Sequence, residues 1–116
     1  MKYGINKATL VGNVGEVPKI SEKDGEIFLA SFPFATSETY RDKNGDEVTS
    51  TQWHRVSAWN KKAAIIKQYV KKGDSLYIEG KIVNRSWDDK DGNKHYSTEI
   101  QCDNFLFLSS KKPIEA

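Results

Sequence analysis

The sequence predicts an all-β barrel of five strands with a single helix between the third and the fourth. Three observations carry that expectation. Apolar residues alternate with period two in five separate stretches, and the one stretch of helical spacing falls between the third and fourth of them. The chain has 116 residues with neither repeat nor linker, which is room for one domain. The composition is that of a folded chain: 37% apolar and 11% aromatic residues are too many for disorder, and 29% charged residues favour solubility.

Residues 8–14 alternate Ala8, Leu10, Gly12 and Val14 with Thr9, Val11 and Asn13, a first strand that Gly15 and Pro18 bring to an end. After a turn at Lys23, Asp24 and Gly25, residues 27–36 put Phe28, Ala30, Phe32 and Phe34 on one face of a second strand. Pro33 lacks a ladder donor, so its nitrogen must face solvent or the strand must bulge there. Residues 38–50 are polar around the turn at Asn44 and Gly45 and read as a long hairpin loop with room to move. The third strand, residues 52–59, places Trp53, Arg55, Ser57 and Trp59 on one face and His54, Val56 and Ala58 on the other. Asn60 is the expected N-cap of a helix whose Ala63, Ile66, Tyr69 and Val70 recur at helical spacing until Gly73 stops it. The fourth strand, residues 75–87, opposes Leu76, Ile78, Gly80 and Ile82 to Tyr77, Glu79, Lys81, Val83, Arg85 and Trp87. Asp91 and Gly92 turn the chain into a last strand, residues 95–108, through Tyr96, Thr98, Ile100 and Cys102. Three strands, a helix and two strands is the order of the OB-fold, a five-stranded Greek-key barrel that binds oligonucleotides or oligosaccharides. The domain is expected to fill residues 1–108, with residues 109–116 a short tail.

Several function classes are disfavoured. No apolar run approaches the roughly 18 residues that span a bilayer, and the first residues lack the apolar stretch of a signal peptide, so a cytoplasmic protein without a membrane partner is expected. One cysteine and two histidines supply neither an internal disulfide nor a zinc site of recognisable spacing. Aligning Gly92 to the invariant glycine of a calcium loop puts Trp87 at the first ligand position, so the acidic turn is an ordinary one and no metal is expected. His54 and His95 are the available bases for a nucleophile and neither stands in a motif; Gly12 to Gly15 is a lone Gly-x-x-Gly. No catalytic residue and no cofactor is expected, and the chain reads as a binder rather than an enzyme.

The aromatic and basic residues point further. Between Trp53 and Ser86 there are eight Lys/Arg against two acids, in a chain whose net charge is only +2. Alternation places Trp53, Trp59 and Trp87 on surfaces that also carry Arg55 and Arg85, and Tyr40 stands beside Arg41 and near Lys43. Tryptophan is more often packed than exposed. Against a core role here, Phe28, Phe32, Phe34, Leu76, Ile78 and Ile82 already suffice for a small barrel, and burying Arg55 with two tryptophans would strand a charge. Aromatic rings that stack bases, flanked by cations that track phosphates, hold single-stranded nucleic acid without reading its sequence.

The blocks Leu10-Val11-Gly12-Asn13-Val14-Gly15, Ala35-Thr36-Ser37-Glu38, Trp53-His54-Arg55-Val56, Tyr69-Val70-Lys71-Lys72-Gly73 and Tyr77-Ile78-Glu79-Gly80, with Trp87, resemble the bacterial single-stranded DNA-binding protein family over about residues 4–108. The resemblance implies an OB-fold protomer of a homotetramer that wraps single-stranded DNA in replication, recombination and repair, in the nucleoid. It puts the stacking positions on Tyr40, Trp53, Trp59 and Trp87, and the phosphate contacts on Arg41, Lys43, Arg55, Lys61, Lys72 and Arg85. His54 and Tyr77 are implied at subunit interfaces. Tyr40 stands where the family more often has Trp, and Trp59 where it more often has Phe; both keep a π-face. In the family a linker ends in an acidic tip that docks replication and repair proteins. Residues 109–116 carry one acid against two lysines, so those partners are expected only if the full-length protein has such a tip. A primosomal accessory of related fold lacks the Trp-His-Arg-Val block, an OB-type nuclease needs clustered carboxylates, and a module that only docks proteins would leave its tryptophans unaffected by DNA.

Overall fold

The structure, a computed structural model, describes residues 3–108; the expected tail at 109–116 lies outside the described residues. Six strands and one helix follow one another as β1 (Ala8–Val14), β2 (Lys19–Lys23), β3 (Glu26–Arg41), β4 (Glu47–Trp59), α1 (Lys61–Tyr69), β5 (Ser75–Asp88) and β6 (Lys94–Phe107). The strands form one sheet in the order β1-β5-β6-β4-β3-β2, and β1 also pairs with β3. That extra pairing closes β1, β5, β6, β4 and β3 into a five-stranded barrel, with β4 and β6 parallel and the other neighbours antiparallel. The OB architecture predicted from the sequence is therefore present. No helix among the described residues is long and apolar enough to cross a membrane.

The core is built from Val14, Ala30, Phe32, Phe34, Val56, Ala58, Leu76, Ile78, Ile100 and Cys102, with Ala63, Ile66 and Val70 packed in from α1 and its C-terminal side. Two residues expected inside are not: Phe28 is 36% exposed and Ile82 is exposed as well. Tyr69, expected on the buried side of the helix, faces out, and α1 ends there rather than at Gly73 because Val70 is already extended (φ −89°, ψ 131°). Asn60 does not cap with its side chain; its φ of 56° turns the chain while its N–H donates to the Phe28 carbonyl at 3.0 Å.

Strand β2 was not expected. Its Lys-Ile-Ser-Glu-Lys has a single apolar residue and no alternation to detect, because it is an edge strand held by the β3 ladder rather than by burial. The long mobile loop was also a misreading: β3 and β4 stay paired out to Arg41 and Glu47, leaving residues 42–46 as the connection. Cross-strand hydroxyl pairs, Ser37 with Thr51 at 3.1 Å and Thr39 with Thr49 at 3.2 Å, stitch this polar arm, so its strand character comes from β-branched and hydroxyl residues rather than apolar ones. Asp42 Oδ1 accepts the backbone N–H groups of Asn44 and Asp46, both at 2.9 Å, which orders the turn.

Pro33 sits in an unbroken β3–β4 ladder opposite Arg55, so there is no bulge. Its carbonyl accepts from the Gly15 N–H at 2.8 Å on the other side. In an extended strand the nitrogen and carbonyl of one residue point the same way, so the missing donor falls between the end of β1 and the start of β2, where no ladder needs it. A bulge does occur between Glu79 and Gly80 in the β5–β6 ladder.

Gly12 stands where β1 passes closest to β3: a Cβ there would overlap the backbone carbonyl of Ala35. Gly12→Ala is expected to cost about 1–3 kcal/mol in urea unfolding. Gly4→Ala, with nothing within 4 Å of the added carbon, should leave the midpoint in place. Equal midpoints would show that the closure tolerates a side chain.

Candidate nucleic-acid interface

The β3–β4 ladder runs from Arg41/Glu47 to Leu29/Trp59 without a register shift, so Trp53, Arg55, Ser57 and Trp59 alternate to one side as expected. Their exposures differ. Trp53 is 63% exposed and lies against the bend after β1, where a Cβ on Gly15 would come within 2.5 Å of indole Cζ3. Glycine at 15 is what leaves room for the ring there. Arg55 is exposed and donates from Nη1 to Ser31 Oγ at 2.9 Å, whereas Ser57 is buried. Trp59 is half-buried, with the Phe28 ring 6.3 Å away on centroids and the Arg85 guanidinium carbon 5.6 Å from its own centroid.

Beyond the residues that pair with β4 (Glu99 to Gln101), the β5–β6 hairpin has no third strand, and its side chains open to solvent. Trp87 is 51% exposed and stacks on His95, with centroids 5.5 Å apart and planes at 21°. His95 Nε2 in turn meets Asp89 Oδ2 at 2.8 Å, while Asp89 Oδ1 accepts the turn N–H groups of Asp91 and Asn93. The His95 bond, followed by those backbone donors, holds the Asp89 carboxyl below its usual range. Arg85 Nε donates to Glu99 Oε1 at 3.0 Å, so its guanidinium bridges a carboxylate on β6 and the Trp59 ring.

Trp59 and Arg85 are therefore in contact, Trp53 lies elsewhere along the same strand, and Trp87 is two residues from Arg85. Tyr40 is exposed, but in register with Val48 it stands on the opposite side of the β3–β4 arm from Trp53, which pairs with Ala35. Arg41 donates to the Gly45 carbonyl at 2.8 Å at the arm's tip, next to exposed Lys43. Lys61 directly follows Asn60, and Lys72 lies in the turn whose Gly73 N–H bonds the Val14 carbonyl, one residue from the Gly15 bend under Trp53. Lys43, Lys61 and Lys72 are in none of the ion pairs among the described residues. His54 is part-buried and shares a 2.9 Å hydrogen bond with Thr36 Oγ1. Tyr77 is half-buried on β5, between Val11 of β1 and Leu106 of β6.

Two members of this surface escaped the sequence reading. Phe28 was assigned to the core by its alternation with Phe32 and Phe34, and His95 was weighed only as a base. The signal for His95 was present, since a turn centred near Asp91 puts residue 95 opposite residue 87.

A family model described as the single-strand binding protein family matches residues 5–108. The chain belongs to this family. Single-stranded DNA-binding protein 1 of Chlorobaculum tepidum is 44% identical over 112 residues, which is 96% of this chain and 69% of that protein. The single-stranded DNA-binding protein of Bacteroides thetaiotaomicron is 44% identical over 109 residues, 92% of this chain and 68% of the relative. Among solved structures, the Plasmodium falciparum SSB in complex with ssDNA superposes with a TM-score of 0.82 at 29% identity, covering 94% of this chain and 99% of that one. A single-stranded DNA-binding protein from Thermus aquaticus, at 23% identity and TM-score 0.76 over 96% of this chain and 54% of that one, shares the fold.

Among the described residues no group of three His, Cys, Asp or Glu is placed to hold a metal ion. Cys102 is buried, and burial, more than the nearby Asp103, pushes its thiol from the usual 9.0 to about 11. At pH 8 that lowers the thiolate fraction about 100-fold, so a thiol reagent should label Cys102 at least that much more slowly in the folded chain than in urea. Equal labelling rates would mean that the strand β6 opens readily around Cys102.

Proposed function

We propose that this chain binds and protects single-stranded DNA, largely without regard to sequence, in replication, recombination and repair. The observation that carries the reading is the interleaving of rings and cations in contact: Phe28 with Trp59, Trp59 with Arg85, and exposed Trp87 two residues further along β5. Unpaired bases stack on Trp53, Trp59, Trp87 and, on the β3–β4 arm, Tyr40; Arg41, Lys43, Arg55, Lys61, Lys72 and Arg85 meet the phosphates. Double strands are disfavoured because their bases are already stacked on one another. The chain acts by binding, not by catalysis, in line with its family. Residues 1–108 form the binding unit on this reading, and docking of replication and repair proteins is proposed only for a full-length protein that carries an acidic tip. A docking module without DNA affinity would not need tryptophans beside unpaired lysines.

The assembly proposed is a homotetramer. Val11, Tyr77 and Leu106 form a row across β1, β5 and β6, and Val11 and Leu106 are more than half exposed, which supports a surface that a second copy covers. Tyr77 takes its interface role from this row. His54 is kept at a subunit contact as the resemblance implies, with its ring held by Thr36. Light scattering at micromolar concentration should return four times the protomer mass, and Leu106→Asp should lower it; a monomer mass for the unmodified chain would overturn the tetramer.

Titration with oligo(dT) should quench the tryptophan fluorescence and saturate without cleavage of the strand. Trp53→Ala and Trp59→Ala should each weaken binding by about 1–3 kcal/mol. Lys67→Ala should cost little, since Lys67 faces Glu22 at 3.5 Å on the helix. Equal losses at all three positions would remove the stacking assignment. Log affinity should fall with log salt by about 0.7 per phosphate contact, and Lys61→Ala or Lys72→Ala should make that slope shallower.

A further inference from the structure

Asn60 adopts φ 56° and ψ −119°, the dihedrals of the first central position of a type II′ turn, where glycine is the usual residue. Apart from Asp24 it is the one non-glycine residue with positive φ among the described residues. The backbone needs this shape: the Asn60 N–H donates to the Phe28 carbonyl at 3.0 Å and its carbonyl accepts from the Ala64 N–H at 3.1 Å. Glycine would make both bonds without the strain that a side chain adds. What needs a reason is therefore the carboxamide, and it makes no hydrogen bond among the described residues.

Asn60, exposed to solvent, lines two grooves. One, of about 630 Å³, runs along Phe28, Asp24 and Glu26; the other, of about 470 Å³, reaches Lys61. Phe28 and Trp59, the residue before Asn60, form the ring pair already described. The first groove carries Asp24 and Glu26 against Lys23, a net negative lining beside Ile27 and Phe28 that suits a base better than a phosphate. A carboxamide presents a donor and an acceptor side by side, the pattern complementary to N6 and N7 of adenine.

Resting on the single-stranded DNA reading above, we propose that Asn60 hydrogen-bonds the edge of a base stacked at the Phe28–Trp59 pair and favours adenine at that one position of an otherwise sequence-neutral site. The test measures melting temperature and the affinities for dA20 and dT20 in the unmodified chain, Asn60→Gly, Asn60→Asp and Lys67→Ala. Comparing each variant's dA20-to-dT20 ratio with that of the unmodified chain cancels the self-stacking of oligo(dA). Asn60→Gly should melt higher, through relief of strain, and lower the ratio roughly fivefold through loss of the carboxamide pair. Asn60→Asp, which can only accept, should lower the ratio at least as far, and Lys67→Ala should leave it unchanged. An Asn60→Gly chain that melts higher with an unchanged ratio would reduce Asn60 to a turn residue and overturn the proposal. One that melts lower would remove its premise, and a ratio that falls equally in Lys67→Ala would show an effect not specific to Asn60. Failure of the unmodified chain to bind either oligonucleotide would instead sink the DNA-binding reading itself.

Discussion

Barrel closure at the end of β1 is the constraint on which the rest of the molecule depends. Six residues of β1 pair with β5, from Ala8/Gly80 to Asn13/Ser75, and the strand's last two residues pair with β3, as Asn13/Ala35 and Val14/Phe34. One short strand thus joins β5 to β3 and closes the barrel, leaving β2 as an edge. The joint is tightened by backbone bonds on consecutive residues: Val14 N–H to the Asp74 carbonyl, Gly73 N–H to the Val14 carbonyl, and Gly15 N–H to the Pro33 carbonyl. These tie β1 to the segment after the helix and to the middle of β3. Gly12 allows the close approach to Ala35, and Gly15 leaves the bend bare, which is where Trp53 rests. The same corner that closes the barrel seats a ring of the candidate interface.

Closure also explains why so many rings are outside. The interior of a five-stranded barrel is small, and Phe32, Phe34, Val56, Leu76 and Ile78, all fully buried, fill it. Of the remaining aromatics, Phe28 and Trp59 sit at the end of the β3–β4 ladder, and Tyr40, Trp87 and Tyr96 on the two hairpin arms. On an arm a side chain has water or its cross-strand neighbour for company. Tyr96, though in step with Ile100 and Cys102, is 73% exposed for this reason, and Trp87 is steadied by His95 and the Asp89 turn rather than by a core.

How much of this could be read from the sequence follows from the same physics. Where one face of a strand is buried, alternation announces it, so β1, the inner half of β3, the end of β4 and the start of β5 were legible. Where a strand is held by its ladder alone, as in β2 or the threonine-rich arm from Thr36 to Thr51, there is no apolar period to find, and polar residues read as a loop. The helix was found but its end was misjudged, because Val70 is buried whether helical or extended. The rings Trp53, Trp59 and Trp87 were recognisable by number and spacing. Phe28 was not, since periodicity reports which face a residue is on and says nothing of where along that face the barrel stops. Asn60 looked like a cap because the residue type fits one; only its dihedrals reveal that the side chain is free to do something else.

The cations divide into two chemical kinds, and the division bears on how a polyanion is met. Each arginine of the set is tied within the chain: Arg41 to the Gly45 carbonyl, Arg55 to Ser31 and Arg85 to Glu99. A guanidinium has five N–H donors in a fixed plane, so spending one leaves others for phosphate while the group is held in place. Lys43, Lys61 and Lys72 are tied to no carboxylate among the described residues, and a flexible ammonium offers charge without a fixed direction. On the DNA-contact roles proposed above, the arginines would act as anchored contacts beside the rings, where geometry matters for stacking, and the lysines as a mobile field that attracts the strand from any approach. On that proposal, a surface built this way meets the features every single strand shares, a charged backbone and flat bases, and leaves any reading of a particular base to a group such as the Asn60 carboxamide that is neither ring nor cation.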